Sequence, residues 1–488
     1  MKDIKRREFI RMSAGAGIAS IAIPDNLYKD EDASVATHPD PEKKFKATKK
    51  VIVAGGGIGG LCCGYELMKK GHEVIVLEAS GRHGGHVFTA RDGLSDGLYA
   101  DFGAEHITKP GYERYWGYTR EFNLEVLYYP RRENQLRRID GKFYTEAMLS
   151  DPSELKKLGF NEREIQYLSQ NPWTELRSLY NKPYLDKFTD EYQPFGVGYD
   201  NLDTISLTDF FTKDGASPAA LRFMGSTTSS ALYELWQGGI LKLRGVPLAP
   251  PKLYRLKGGN QGLPNEFAKR LGSRVRLNSP VLSIKHGQSG VTIRYKEFNE
   301  EKEMSADFFV CCIPPPAFRS IPVEPAFPPE KQYVIDNVTY DSYSRVVFQA
   351  RSKFWLEDKL SINLDLDHPD IYNLWQVADE VETHRVVLMA SCPGGISAQR
   401  ALAGLREVYP GKRDTIELAL VKDWTKESFA YTCERLPFPM GELKKFWPNV
   451  IKPHGRIYFA GAYADNLNWG MEASTRSANR VARDIDQA

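Results

Sequence analysis

VIVAGGGIGG, residues 51–60, is the stretch on which the fold turns. A β-branched run that stops abruptly in glycines reads as a buried strand meeting a tight turn. Residues 61–70 then read as a helix closed by Gly71, and HEVIVLE, residues 72–78, reads as a second strand. The unit is βαβ, and its glycines carry the dinucleotide-binding spacing as Gly55, Gly57 and Gly60. Gly55 permits the turn, Gly57 lets the backbone approach a pyrophosphate, and Gly60 allows close helix packing. Ile58 and Gly59 are grouped with them as cofactor-binding, and the free N–H groups of the helix start hold the anion. The second strand ends at Glu78, eighteen residues after Gly60, where a carboxylate accepts adenosine ribose hydroxyls and disfavours a 2′-phosphate. Ala79, next in the chain, is grouped with it as cofactor-binding. A glycine-rich turn beside a surface glutamate is the competing reading, and it needs every one of these placements to be coincidence. NAD and FAD share the fingerprint, so other residues must separate them.

The chain of 488 residues is long enough for two or more domain-sized units. Its 42% hydrophobic and 26% charged content fits a globular protein. The net charge of +2, without long single-sign blocks, gives no reason to expect nucleic acid as a partner. Six cysteines (Cys62, Cys63, Cys311, Cys312, Cys392 and Cys433) are sparse for a disulfide scaffold. Nine histidines show no ligand-like spacing, so no metal is expected. DFFVCCI (307–313) reads as another buried strand ended by Pro314, Pro315 and Pro316. LYRLKGGNQGLPNEFAKRLG (253–272) reads as a turn and a helix, followed by two or three strands. The middle, about 105–251, mixes aromatic-rich amphipathic stretches with loops and shows no repeat.

Beyond Glu78 comes EASGRHGGHVFTA (78–90), in which Arg82, Gly84 and Gly85 form a second phosphate-facing loop. This resembles the motif of the flavin amine oxidase family, which includes monoamine oxidases and L-amino-acid oxidases. The family's motif ends in a second arginine, where this chain has His86. The resemblance continues in YADFGAEHI (99–107), with Gly103 and Ala104, in residues 254–271, and in VLSI, which begins at Val281. It extends through FVCCIPPPAF (309–318) and closes with GRIYFAGAYADNLNWGMEAS (455–474), where Gly461 and Met471 match the C-terminal flavin segment. The cofactor implied is FAD. The implied fold is α/β, a Rossmann-like FAD-binding domain of the two-dinucleotide-binding-domain flavoproteins with an interleaved α+β substrate domain. Residues 50–105, 254–320 and 452–488 are expected to build the first domain, and 106–253 with 321–451 the second.

The resemblance implies oxidation of a small-molecule amine or amino acid by hydride transfer to the flavin, hydrolysis of the imine, and reoxidation by dioxygen or a periplasmic electron acceptor. Several positions depart from the pattern. SYSRVVFQARSKFW (342–355) resembles the strand that presents a lysine beside the flavin, but the matching residue is Arg345, a planar and permanently charged group. It is read as binding an anion or as a surface arginine. His106 stands where L-amino-acid oxidases carry a carboxylate-binding arginine, and it cannot act as a bidentate clamp. The two aromatic positions of monoamine oxidases fall on Glu434 and Gly470, with Trp469 one residue away. Arg345, His106, Trp469 and Glu434 are therefore the catalytic candidates. Ala462 replaces a commonly acidic residue. Cys433 falls where monoamine oxidases bond a cysteine to the flavin, with an inert cysteine as the alternative. A dehydrogenase, desaturase or isomerase acting on carbon–carbon bonds, or an inert flavin-binding protein, stays open as an alternative function.

At the N-terminus KRREFIR (5–11) precedes a short apolar run to residue 23 and resembles a twin-arginine export signal. The run falls short of the ~20 residues that span a bilayer, so no stable membrane span is expected. Residues 1–36 are read as the signal and the start of a linker, and 37–49 as linker. Such a signal implies the twin-arginine export machinery as a partner and a periplasmic or secreted location.

Overall fold

The computed structural model describes residues 47–488 apart from 226, 358–359, 412–414 and 433. The export-signal reading and Cys433 thus lie outside the described residues. Strand β1 (Lys50–Ala54) runs into the glycine turn, helix α1 (Ile58–Lys69) follows, and β2 (Glu73–Leu77) completes the βαβ unit. Farther along come α2 (Glu113–Glu121), α3 (Ala231–Leu243), β3 (Val275–Arg276), β4 (Phe308–Cys311), β5 (Ile457–Phe459) and α4 (Gly470–Gln487). The five strands form one parallel sheet in the order β3-β2-β1-β4-β5. Parallel strands are covered on both faces, which explains why VIVA and FFVC read as unbroken apolar runs. The α/β expectation holds.

Helix α1 is buried along almost its whole length because α4 packs on it. Leu61 and Cys62 of α1 share one apolar cluster with Ala478, Val481 and Ile485 of α4. Small residues allow this proximity, and the first turns of both helices face the same end of the sheet.

A seven-stranded mixed sheet contains Tyr343–Ala350, next to its edge strand, which pairs antiparallel with Val386–Pro393 and with that edge strand, Ile416–Asp423. Period-two alternation sends Val346, Phe348 and Ala350 into a cluster with the helix Ala398–Val408. Val347 instead joins Leu98, Tyr99 and Phe102 on the opposite face. Trp424, just past that sheet's edge strand, donates its indole N–H to the Phe102 carbonyl at 2.9 Å. Among the described residues no helix is long and apolar enough to cross a membrane.

Candidate active site

The glycine turn divides its work among four positions. Gly55 adopts φ of 104°, and a Cβ on Gly60 would lie 1.8 Å from the Gly55 carbonyl oxygen, so Gly60 serves the turn itself. Close helix packing belongs to Gly59, whose Cβ would come 3.1 Å from the Cα of Gly461. At Gly57 a Cβ would meet only the Gly85 Cα, at 3.9 Å. Gly57 is also the N-cap of α1 and places no side chain on the helix's first N–H groups. Open backbone donors at a helix start suit a phosphate.

The second loop lies against the first, with the Gly84 N–H donating to the Gly56 carbonyl at 2.8 Å. Gly84 and Gly85 have φ of 101° and 57°. Glu78 is buried, and its carboxylate accepts from the Gly56 N–H at 2.6 Å and from the Ser80 N–H and hydroxyl at 2.8 and 2.7 Å. These bonds fix the carboxylate's direction and leave it acceptor capacity for a ribose hydroxyl.

These elements enclose a cavity of about 600 Å³. Its first wall is Gly55, Gly57, Ile58, Gly59 and Gly60, and its second is Glu78, Ala79, Gly84, Gly85 and His86. Ala104, Val281, Gly461 and Met471 line it as well. Two expected cofactor-binding residues do not line it. Arg82 stacks over the Phe88 ring at 4.7 Å, and its Nη1 is buried with no hydrogen-bond partner among the described residues. Gly103 lies beneath the His86 backbone, where a Cβ would strike the His86 carbonyl at 1.6 Å.

The far wall is aromatic and was not foreseen. Tyr340, Phe429 and Tyr431 line it, with the Tyr340 and Tyr431 rings 5.6 Å apart. All three stand in loops without periodicity, so no pattern in the sequence announced them. Trp469 does not join this wall, because it stacks on Tyr112 at 5.5 Å and fills the space beside Gly111. Glu434 is exposed and does not line the cavity.

His86 is the polar residue of the cavity that departs from the family motif. Its ring tilts against Trp424 at 4.2 Å, and its Nε2 lies 3.2 Å from the Tyr343 hydroxyl. Burial, then the charges of Arg345, Arg82 and Lys422, push the imidazole down to about 3, so it is neutral at ordinary pH. Arg345 stands behind this residue and not on the cavity wall. It donates to Ser391 Oγ at 2.6 Å, and its guanidinium lies 5.1 Å from the Trp375 ring centre. His106 is also off the wall. Its Nδ1 is 3.7 Å from Glu105, which is itself held by Arg131. Burial, opposed by Glu105, lowers the His106 pKa.

The described cysteines offer no ready thiolate. Burial pushes the thiols of Cys311 and Cys392 up to about 12, and those of Cys62, Cys63 and Cys312 well above the ordinary range. Among the described residues no group of three or more His, Cys, Asp or Glu could hold a metal ion.

The donor set suits a dinucleotide. Cβ-free backbone and a helix start would hold the phosphates, Glu78 a ribose, and the apolar remainder a flat ring system. The family model described as flavin containing amine oxidoreductase matches residues 58–486. An L-amino-acid oxidase of Demansia vestigiata is 24% identical over 473 residues, covering 91% of this chain and 88% of that protein. L-amino acid oxidase Bs29 of Bothriechis schlegelii is 26% identical over 475 residues, covering 91% and 92%. Among solved structures, putrescine oxidase with putrescine bound superposes with a TM-score of 0.75 at 21% identity, over 91% of this chain and 100% of that one. Cyclohexylamine oxidase from Brevibacterium oxydans IH-35A gives 0.72 at 20%, over 90% and 99%.

Proposed function

Because the chain belongs to the flavin containing amine oxidoreductase family, we propose that it binds FAD in the 600 Å³ cavity and oxidatively deaminates an amine or amino acid. FAD held there would supply a hydride acceptor for the carbon bearing the amine, with hydrolysis of the imine to a carbonyl compound and ammonia and reduction of dioxygen to hydrogen peroxide completing the reaction. The chain's own residues position and shield. The first turn of α1 and the second glycine loop hold the phosphates, Glu78 orients the adenosine, and Tyr340, Phe429 and Tyr431 exclude water from the far wall. His86 stays uncharged there, with one ring N–H as a donor and the other ring nitrogen as an acceptor.

The observation that carries this reading is the convergence of both glycine loops and the start of α4 on one cavity with an aromatic end. Purified yellow protein, bleached anaerobically by amines or amino acids and recoloured by air with ammonia and peroxide released in equal amounts, is the expected result. An unsaturated product without ammonia would instead mark a carbon–carbon dehydrogenase. A bound flavin that no substrate bleaches would mark a binding protein. The N-terminal KRREFIR stretch supports the further proposal that this chemistry takes place outside the cytoplasm, where peroxide is better tolerated.

A further inference from the structure

Residues 428–432 form one continuous piece of the cavity wall, and all five of them line it. Ser428 and Phe429 are at the same time open to solvent, Phe429 by 51%, whereas Ala430 and Thr432 are buried. A stretch with one side on the cavity and the other in water is a cover one chain thick. It contains neither helix nor strand.

Backbone bonding sets this stretch apart. Among the described residues no backbone N–H or carbonyl of residues 428–432 takes part in a hydrogen bond, and only the Thr432 hydroxyl reaches out, to the Glu434 carbonyl at 3.2 Å. The glycine loops of the same cavity are tied down. Leu61 N–H donates to the Gly57 carbonyl at 3.0 Å, Gly84 N–H to the Gly56 carbonyl at 2.8 Å, and Gly461 N–H to Ser477 Oγ at 2.9 Å. A segment with one wet side and no backbone bonds opens at far lower free-energy cost than such loops.

Both ends of the stretch are anchored. Upstream, Trp424 is buried with its indole on the Phe102 carbonyl, and Glu427 N–H donates to the Trp424 carbonyl at 3.3 Å. Downstream, Arg435 is 2% exposed, donates to the Tyr233 hydroxyl and the Leu436 carbonyl, each at 3.2 Å, and lies 3.6 Å from the centre of the Phe438 ring. Leu436 N–H adds a bond to the Thr339 carbonyl at 2.9 Å. Between these ends the Tyr431 ring meets Tyr340, 5.6 Å away, on the neighbouring wall.

We propose that residues 428–432 are a strap that swings out to admit FAD and closes over it, with Tyr431 on Tyr340 as its latch. The proposal rests on the FAD reading and adds the route by which the cofactor enters a site whose glycine loops are held by backbone bonds.

The test compares the flavin-free and FAD-loaded full chain. Phe429 and Tyr431 are themselves chymotrypsin sites, and cleavage after each is timed by mass spectrometry. FAD should slow both cuts by ~10-fold or more, because proteolysis follows the population of the open form. If flavin-free wild type takes up no FAD, the binding reading falls and the strap with it. If it takes up FAD and both forms are cut at the same rate, only the strap falls. Uptake and release of FAD are then read from flavin fluorescence after rapid mixing, without turnover. Tyr431→Ala removes the latch and should speed uptake and release alike, each by ~10-fold. Tyr431→Phe keeps the ring and should stay within ~2-fold of wild type in both. Faster release with unchanged uptake makes Tyr431 a simple contact of the cofactor and overturns the latch. The proteolysis uses wild type alone and decides the strap even where Tyr431→Ala fails to fold.

Discussion

At position 57 a side chain would enter the cavity, whereas at position 60 it would enter the protein's own backbone, and the two substitutions should fail differently. Gly57 has φ of −68° and ψ of 175°, a conformation open to any residue, and its Cβ would make only an ordinary contact with the Gly85 Cα at 3.9 Å. Gly57→Val should therefore fold and lose its cofactor. The flavin-to-protein absorbance ratio is expected to fall at least ~10-fold, while the melting temperature of the flavin-free form stays within ~3 °C of the flavin-free wild type, since nothing in the protein is overpacked. A fully loaded valine variant would contradict the phosphate assignment. Gly60→Ala meets the Gly55 carbonyl at 1.8 Å, which no rotamer relieves. It should cost ~3 kcal/mol or more and reduce soluble yield regardless of added FAD. Only Gly57 separates binding from folding.

At the scale of elements, the helix that closes the chain also finishes another helix. Glu472 in the first turn of α4 accepts the backbone N–H groups of Arg114 and Tyr115 at 3.1 and 3.0 Å, capping α2, whose own N-cap residue Tyr112 makes no side-chain cap bond to that helix. Burial pushes the Glu472 carboxyl up to about 8 against the pull of those two N–H groups. In the unfolded chain it would titrate near ~4.3. Its folded form therefore holds the proton more tightly, so the linked stability is fully present below the unfolded value and is lost as pH rises towards about 8. Glu472→Gln cannot ionise. Wild type should lose more stability than this variant between pH 5 and pH 8, with thermal denaturation at several pH values as the measurement. Parallel curves would show that Glu472 does not titrate in this window. Loss of one cap bond should also lower the variant's stability at pH 5 by ~1 kcal/mol. Sequence reading placed α4 but not this cap, because an acidic residue after Met471 looks the same whether it faces solvent or another helix's N-terminus.

Over the whole molecule, legibility follows locality. The βαβ unit, the strand before Pro314 and the closing strand and helix were readable because each bears its own periodicity and glycine punctuation within thirty residues or so. The aromatic wall was not, since Tyr340, Phe429 and Tyr431 come from loops that only the tertiary fold brings together. Arg345 and His106 were placed by motif and stand one layer behind the cavity, because a family pattern fixes a strand or turn more firmly than the side chain's neighbours. The same distribution of parts bears on export. The cavity needs Gly57 near one end of the fold and Gly461 and Met471 near the other, so the proposed FAD could be held only after some four hundred residues have folded between them. A protein that loads its cofactor in the cytoplasm must then cross the membrane folded, which is the requirement a twin-arginine address meets. Arg6→Lys combined with Arg7→Lys keeps the charge and removes both planar forks. The expected outcome is yellow, active protein retained in the cytoplasmic fraction, with periplasmic activity reduced at least ~10-fold by loss of the planar forks. Undiminished periplasmic activity in the double variant would show that KRREFIR is not read as that address, and apoprotein in the periplasm would show that loading does not precede export.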